Sequence, residues 1–238
     1  MEANVYSIVT TPKVGIGQRC LLLELPKSGK TSGEEGNVLW DCCAFLDEAT
    51  IDAVKALGGV QHIVLSHPHF LGSCITWSKA FGDVPIHLQA LDKDWVTRPD
   101  EKLEGKGPRY IFWEGAIHFL GNMSAVLQVV RLGGHFSSSS VLLVESSAED
   151  GKGIMFTGDT ILPVPHGRWC SFMYSFPNLL PLPAFVVEEI KAKVEKLPNF
   201  DRLYGPFTTS SIVGNAKEAV LESAQRYLDS LAGKYHGK

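Results

Sequence analysis

The stretch Val60-Gln61-His62-Ile63-Val64-Leu65-Ser66-His67-Pro68-His69 decides how the chain is read. An apolar run of strand length stops at Ser66 and delivers two histidines at i and i+2. Pro68 stiffens their spacing and forbids a helix at that point. In an extended or tightly turned segment both imidazoles can face one ion.

Upstream, Ile51 to Leu57 has helical periodicity and is closed by Gly58-Gly59. Downstream, a helix is expected through Thr76 to Phe81, and a strand over Pro85 to Leu88. Nearer the N-terminus, Cys20 to Leu25 and Asn37 to Asp41 read as a long hairpin around the polar loop from Lys27 to Gly36. Gly29-Lys30-Thr31 in that loop lacks the glycine spacing of a phosphate loop. The middle of the chain reads as strands at Gly115–Leu120, Ala125–Arg131, Ser140–Glu145 and Gly153–Phe156. Helices return at Ala184–Lys196 and Ala216–Leu231, with a short strand at Arg202–Gly205 between them. Strands and helices interleaved in two similar halves imply an α/β layered fold.

Two further strand ends carry metal-binding groups. Gly133-Gly134-His135 closes one, and Thr157-Gly158-Asp159-Thr160 follows the apolar run Ile154-Met155-Phe156. Loops gathered at strand ends are where α/β proteins build sites. His67, His69, His135 and Asp159 would supply three imidazoles and one carboxylate, a set suited to zinc and tolerable for iron or manganese. Cys74, five residues past His69, is expected to turn into the core as a small apolar group.

Composition bounds the function. The 238 residues carry 22 Lys+Arg against 26 Asp+Glu, a net charge of -4, which argues against a broad nucleic-acid-binding face. No apolar run approaches the ~20 residues of a membrane span. The five cysteines are odd in number, with Cys42 and Cys43 adjacent, a poor disulfide framework that suits a reducing compartment. No signal peptide is apparent at Met1-Glu2-Ala3-Asn4, and a cytoplasmic location is expected.

In this order, the strand-terminal His-x-His, Gly-Gly-His and Thr-Gly-Asp resemble the metallo-β-lactamase superfamily. The similarity spans nearly the whole chain, as one domain over residues 1–238, from the hairpin ending in Trp40-Asp41 to the closing strand and helix. Ser66-His67-Pro68-His69 and the segment Trp169 to Pro183 look like a distinct branch of it. The resemblance implies an αββα four-layer sandwich, with metal at one edge between two sheets. It also implies hydrolysis of an ester, thioester or amide by metal-activated hydroxide.

The chain departs from the family's HxHxDH motif, with Leu71 and Gly72 in place of its Asp and His. The family's late histidine is also missing: Pro206 and Phe207 follow Tyr204-Gly205. The expectation is a mononuclear centre, one zinc per chain, with Asp159 either a fourth ligand or the group that orients water. Tyr174, Tyr204 and His166 are candidate acids for the leaving group. The aromatic segment around Trp169, Phe172 and Tyr174, with Tyr204 and with Tyr110 to Trp113 upstream, either lines an apolar pocket over the metal or belongs to the core. If it lines the site, the substrate is a small, compact and partly aromatic molecule that carries no large charge. The expected activity is opening of a cyclic amide, carbamate or lactone; a mononuclear iron oxygenase and a non-catalytic binding module are the alternatives.

Overall fold

The computed structural model describes residues 3–25, 36–98, 109–120, 127–145 and 152–236. All but Gly36 of the Lys27-to-Gly36 loop, its Gly-Lys-Thr, and Ala125 and Val126 of an expected strand lie outside the described residues.

Strands β1 (Val5–Ile8), β2 (Cys20–Leu23) and β3 (Val38–Trp40) pair as an antiparallel meander. Helix α1 (Glu48–Ala56) then crosses to β4 (His62–Val64), and α2 (Leu71–Ala80) crosses to β5 (Ile86–Gln89). Strand β6 (Tyr110–Trp113) completes the six-stranded first sheet, in which β3 to β6 run parallel. A parallel strand needs a crossover connection, and the two helices supply the first two.

The second sheet starts with an antiparallel meander of β7 (Ile117–Phe119), β8 (Leu127–Arg131), β9 (Ser140–Val144) and β10 (Ile154–Thr157). Two short ribbons follow, β11 (Leu162–Pro163) with β12 (Cys170–Ser171), and β13 (Met173–Ser175) with β14 (Leu180–Pro181). After α3 (Ala184–Lys196), β15 (Arg202–Tyr204) lies parallel to β10, and β16 (Ser211–Val213) pairs antiparallel with it. Helix α4 (Ala216–Leu231) ends the chain's regular structure.

Three apolar clusters define four layers. Leu21, Leu23, Val38, Trp40 and Val64 of the first sheet meet Leu142, Val144, Ile154 and Phe156 of the second. The alternate residues Leu22, Leu39 and Ile63 pack beneath α1 and α2 against Val54, Ile75 and Trp77. On the far side, Val141, Leu143, Met155 and Leu203 pack against Val187, Ile190 and Val194 of α3 and Val220 of α4. Period-two alternation thus divides each central strand between two cores. Because both faces are covered, β9 and β10 read as continuous apolar runs. The expected αββα sandwich is the observed one.

The sequence boundaries shift where local chemistry intervenes. Helix α1 begins earlier than its periodicity indicates because the Asp47 carboxylate accepts the Thr50 N–H at 2.8 Å. Tyr110 to Trp113, expected to line a pocket if it was not core, is strand β6, with Tyr110 and Trp113 buried. The Trp169-to-Phe176 segment, expected as irregular loop, contributes strands β12 and β13.

Candidate metal centre

The centre forms where three strands run out on one edge of the sandwich. After β4, His67 keeps an extended backbone, then Pro68 opens a single 3-10 turn that swings His69 round beside it. Proline suits that first turn because its missing N–H would have no partner there. The result places His67 Nε2 and His69 Nδ1 3.1 Å apart.

His135 follows β8 through Leu132, Gly133 and Gly134, and both glycines have positive φ, 79° and 98°. A Cβ on Gly134 would also press on Ile190 at 3.0 Å. Asp159 follows β10 through Gly158, where a Cβ would lie 2.3 Å from Ser66 Oγ and 3.0 Å from His67 Nδ1. Only glycine lets the aspartate strand end approach the histidine strand end this closely.

The four ligand atoms lie within 4.8 Å of one another. Asp159 Oδ2 stands 3.6 Å from His67 Nε2, 3.7 Å from His135 Nε2 and 3.9 Å from His69 Nδ1. A tetrahedron with arms of about 2.0–2.1 Å separates its donors by about 3.4 Å, so the spacing suits one divalent ion. His67, His135 and Asp159 are buried, whereas half of the His69 side chain is exposed. The centre is therefore closed on the protein side and open at His69.

Electrostatics favour the ligating forms. Burial pushes the His67 and His135 imidazoles below their ordinary range, which keeps them neutral. Burial opposes ionisation of Asp159, but hydrogen bonds and charge from the surrounding histidines outweigh it and hold the carboxyl far below the usual carboxylate range. His135 Nε2 is buried without a hydrogen-bond partner. Three imidazoles around one carboxylate, with an orphaned nitrogen aimed inward, fit a divalent metal.

A second set of groups orients these ligands. Asp41 accepts the Ser66 N–H at 2.7 Å and the Ser66 hydroxyl at 2.9 Å, and that hydroxyl lies 2.8 Å from His67 Nδ1. For His67 Nε2 to offer a lone pair, Nδ1 must carry the proton and donate it to Ser66 Oγ. His135 Nδ1 donates to the Met173 carbonyl at 3.1 Å, which likewise frees Nε2. The Gln18 side-chain amide donates to both oxygens of Asp159 at 3.2 Å. Partners of this kind fix ring orientation and raise ligand basicity.

Two openings meet at His69. The larger, about 560 Å³, is walled by Trp95, Phe136, Tyr174 and Phe176 and floored by His135 and Asp159. The smaller, about 190 Å³, is lined by Gln18, Cys43, His69 and Gly72 among others. Phe136 is the central ring: it stacks on His67 at 5.6 Å, meets His69 and His135 edge-on at 5.0 and 5.2 Å, and touches Trp95 at 5.5 Å.

Of the aromatic residues expected to touch substrate, Tyr174 lines the larger cleft. Phe172 does not, because its ring is fully buried in the core beneath α3 and α4, against Tyr227. Tyr204 is buried between the two sheets beside Phe156, which removes it both as a contact and as a leaving-group acid. Trp169 lies between the guanidinium groups of Arg168 and Arg226, 4.8 and 4.5 Å from its ring, and lines neither opening. His166 is exposed and is likewise not part of either wall. Cys74 is buried, its sulfur 3.5 Å from the Tyr110 hydroxyl. Phe176, the last ring of the Trp169-to-Phe176 segment, lines the larger cleft with Tyr174. Sequence reasoning did not single out Gln18, Trp95 or Phe136; only the position of Phe136, directly after a candidate ligand, could have marked one of them.

No protein-family model matches the chain. The uncharacterized protein YmaE of Bacillus subtilis (strain 168) is 44% identical over 231 residues, covering 97% of this chain and 76% of YmaE. The chain belongs to the YmaE family. Among solved structures, a B3 metallo-β-lactamase with an active-site glutamic acid superposes with a TM-score of 0.59 at 16% identity, covering 100% of this chain and 91% of that one. The metallo-β-lactamase SMB-1 gives 0.57 at 15% identity, with 98% and 95% covered. A metallo-β-lactamase from Cronobacter sakazakii, a HARLDQ motif mutant, gives 0.56 at 16%, with 100% and 98% covered. At these identities the likeness concerns the fold: this YmaE-family chain has the metallo-β-lactamase fold.

Where that fold's usual motif continues into a second ligand set, the YmaE-family chain is apolar or bare. Leu71 packs into the core under α2, and Gly72 faces the smaller opening with nothing within 4 Å of the place a Cβ would take. Among the described residues, His67, His69, His135 and Asp159 are the one group able to hold a metal ion. No helix among them is long and apolar enough to cross a membrane.

Proposed function

We propose that this protein is a metal-dependent hydrolase that opens a small, uncharged cyclic amide, carbamate or lactone at a mononuclear zinc centre. The observation that carries this reading is the convergence of four ligand atoms on the floor of a cleft whose walls are aromatic. A bound zinc ion would lower the pKa of a water molecule to about 7 and polarise the substrate carbonyl, so one ion suffices for both tasks. The similarity in fold to proteins named metallo-β-lactamases supports amide-type chemistry.

The chain's own residues have separable roles in this scheme. His67, His69, His135 and Asp159 hold the ion, and Ser66, Asp41, Gln18 and the Met173 carbonyl fix their orientation. Phe136 shields the imidazoles from water on one side, which lowers the local dielectric and strengthens every charge interaction in the cleft. Trp95, Tyr174 and Phe176 offer ring faces to a substrate. No lysine or arginine is among the described residues that line the cleft, so apart from the metal itself a substrate carboxylate would find no cationic partner there. That favours neutral rings.

The test is hydrolysis of a panel of neutral five- and six-membered lactams, cyclic carbamates and lactones by zinc-loaded and metal-stripped protein. Turnover that appears with zinc and is lost in Asp159→Asn supports the reading. Equal turnover with and without metal, or none across the panel at full zinc occupancy, overturns it.

A further inference from the structure

Apart from the metal centre, one pair of reactive side chains meets at the smaller opening. All five cysteines are free thiols. Cys20 starts β2, and Cys43 follows β3, the strand hydrogen-bonded beside it. Their sulfur atoms are 3.3 Å apart, with the Cys20 S–H directed at Cys43 Sγ. The Cys43 S–H in turn donates to the Ile8 carbonyl at 3.1 Å, with the Gln18 carbonyl 3.9 Å from its sulfur. Cys20 is sealed in the core, whereas Cys43 lines the 190 Å³ opening.

The thiols are unequal. Burial raises Cys20, Cys42 and Cys74, and pushes Cys170 up to about 12. Cys43 alone among the five is lowered, chiefly because the Cys20 S–H donates to it. A thiol reachable from an opening, with a second thiol 3.3 Å behind it, has the arrangement of an attacking and a resolving cysteine.

We propose that Cys20 and Cys43 are a dithiol that hydrogen peroxide, entering through the opening beside His69, oxidises to a disulfide. The Cys43 thiolate attacks one peroxide oxygen, the O–O bond breaks, and hydroxide leaves while Cys43 becomes the sulfenic acid. The Cys20 sulfur then attacks Cys43 Sγ, the S–S bond forms and the S–O bond breaks, expelling a second hydroxide. The protons of the two original thiols convert both hydroxides to water. Two electrons pass from the dithiol to the peroxide. The sulfur atoms need to close from 3.3 Å to the usual ~2.05 Å. This site does not depend on the hydrolase reading, since neither cysteine is a metal ligand.

The pair lies in the wall of the metal centre. The Cys43 sulfur faces the backbone of Gln18, and the Gln18 side chain holds both oxygens of Asp159.

The experiment treats the reduced, zinc-loaded full chain with stoichiometric hydrogen peroxide and maps its peptides without reduction. The expected result is a Cys20–Cys43 cross-link, a mass lower by two hydrogens, and full reversal by dithiothreitol. Cys43→Ser should abolish the cross-link, and Cys20→Ser should leave a Cys43 sulfenic acid that dimedone traps. A cross-link to Cys42 or Cys74 instead, an unreacted Cys43, or direct passage of wild-type Cys43 to the sulfinic acid would overturn the proposal. The wild-type peptide map decides the matter even if either variant folds poorly.

Discussion

Ser66 Oγ lies 2.8 Å from His67 Nδ1, and through its own proton it ties that imidazole to the buried carboxylate of Asp41, 2.9 Å away. The contact sets which nitrogen of His67 faces the centre. Ser66→Ala should weaken zinc binding by about 10- to 100-fold, the usual effect of removing a ligand's supporting partner. Competition titration against a chelating dye would measure it. Unchanged affinity would mean that the packing of His67 alone orients the ring.

Gly158 tests how tightly the strand ends are drawn together. Gly158→Ala places a methyl group 2.3 Å from Ser66 Oγ, and neither side can retreat without moving a ligand. The expected cost is about 1–3 kcal/mol of stability, the range for overpacking a tight site, together with loss of bound metal. Denaturant midpoints and metal content on the same sample would check both effects.

Phe136→Ala should separate shielding from ligation. The ring touches the three histidines of the candidate centre and has no group that could donate to a metal. Stoichiometric zinc should therefore remain bound, while turnover of a neutral ring substrate should fall by at least tenfold as water enters the cleft. Loss of metal in this variant would assign Phe136 a structural role instead.

Burial holds four imidazoles, those of His67, His87, His118 and His135, below their ordinary range. In the unfolded chain a histidine titrates near 6.5. Below that pH the unfolded chain takes up protons that the folded chain refuses, so stability of the metal-free protein should fall as pH drops from about 7 toward 5. Each such group steepens the slope by up to about 1.4 kcal/mol per pH unit. Two buried carboxyls work in the opposite direction, Asp92, which burial raises to about 6, and Asp41, which burial raises well above the usual carboxylate range, and they stand against the four imidazoles. His87 sits between His62 and His118, at 3.1 and 2.9 Å, so His87→Gln should flatten the profile without touching the metal ligands. Urea midpoints at pH 7 and 5.5 would show it; a rise on acidification would contradict the sign.

The cluster of His67, His69, His135 and Asp159 was legible because its members come at the ends of apolar runs and, for His135 and Asp159, after a glycine. A strand end, a glycine and a ligating side chain together form a local pattern that spacing reveals. The groups that orient the ligands gave no such signal. Gln18 reaches Asp159 across 141 positions of sequence, and nothing near either residue marks the contact. Aromatic composition misled in a specific way. Phe172 and Tyr174 are two residues apart in one segment, yet the first ring is sealed in the core and the second faces the cleft. Tyr110 to Trp113 is apolar throughout, so its sequence shows no alternation; only the fold separates buried Tyr110 and Trp113 from exposed Ile111 and half-buried Phe112. Strands as short as β1, β6 and β16 span too few residues for that period to show.

The most direct test is the metal content of untagged protein, by mass spectrometry, beside His67→Ala and His135→Ala. One zinc per chain in the wild type, lost in both variants while their circular dichroism is retained, is the predicted result. Two ions per chain, or full occupancy surviving either substitution, would contradict the mononuclear centre at its ligands.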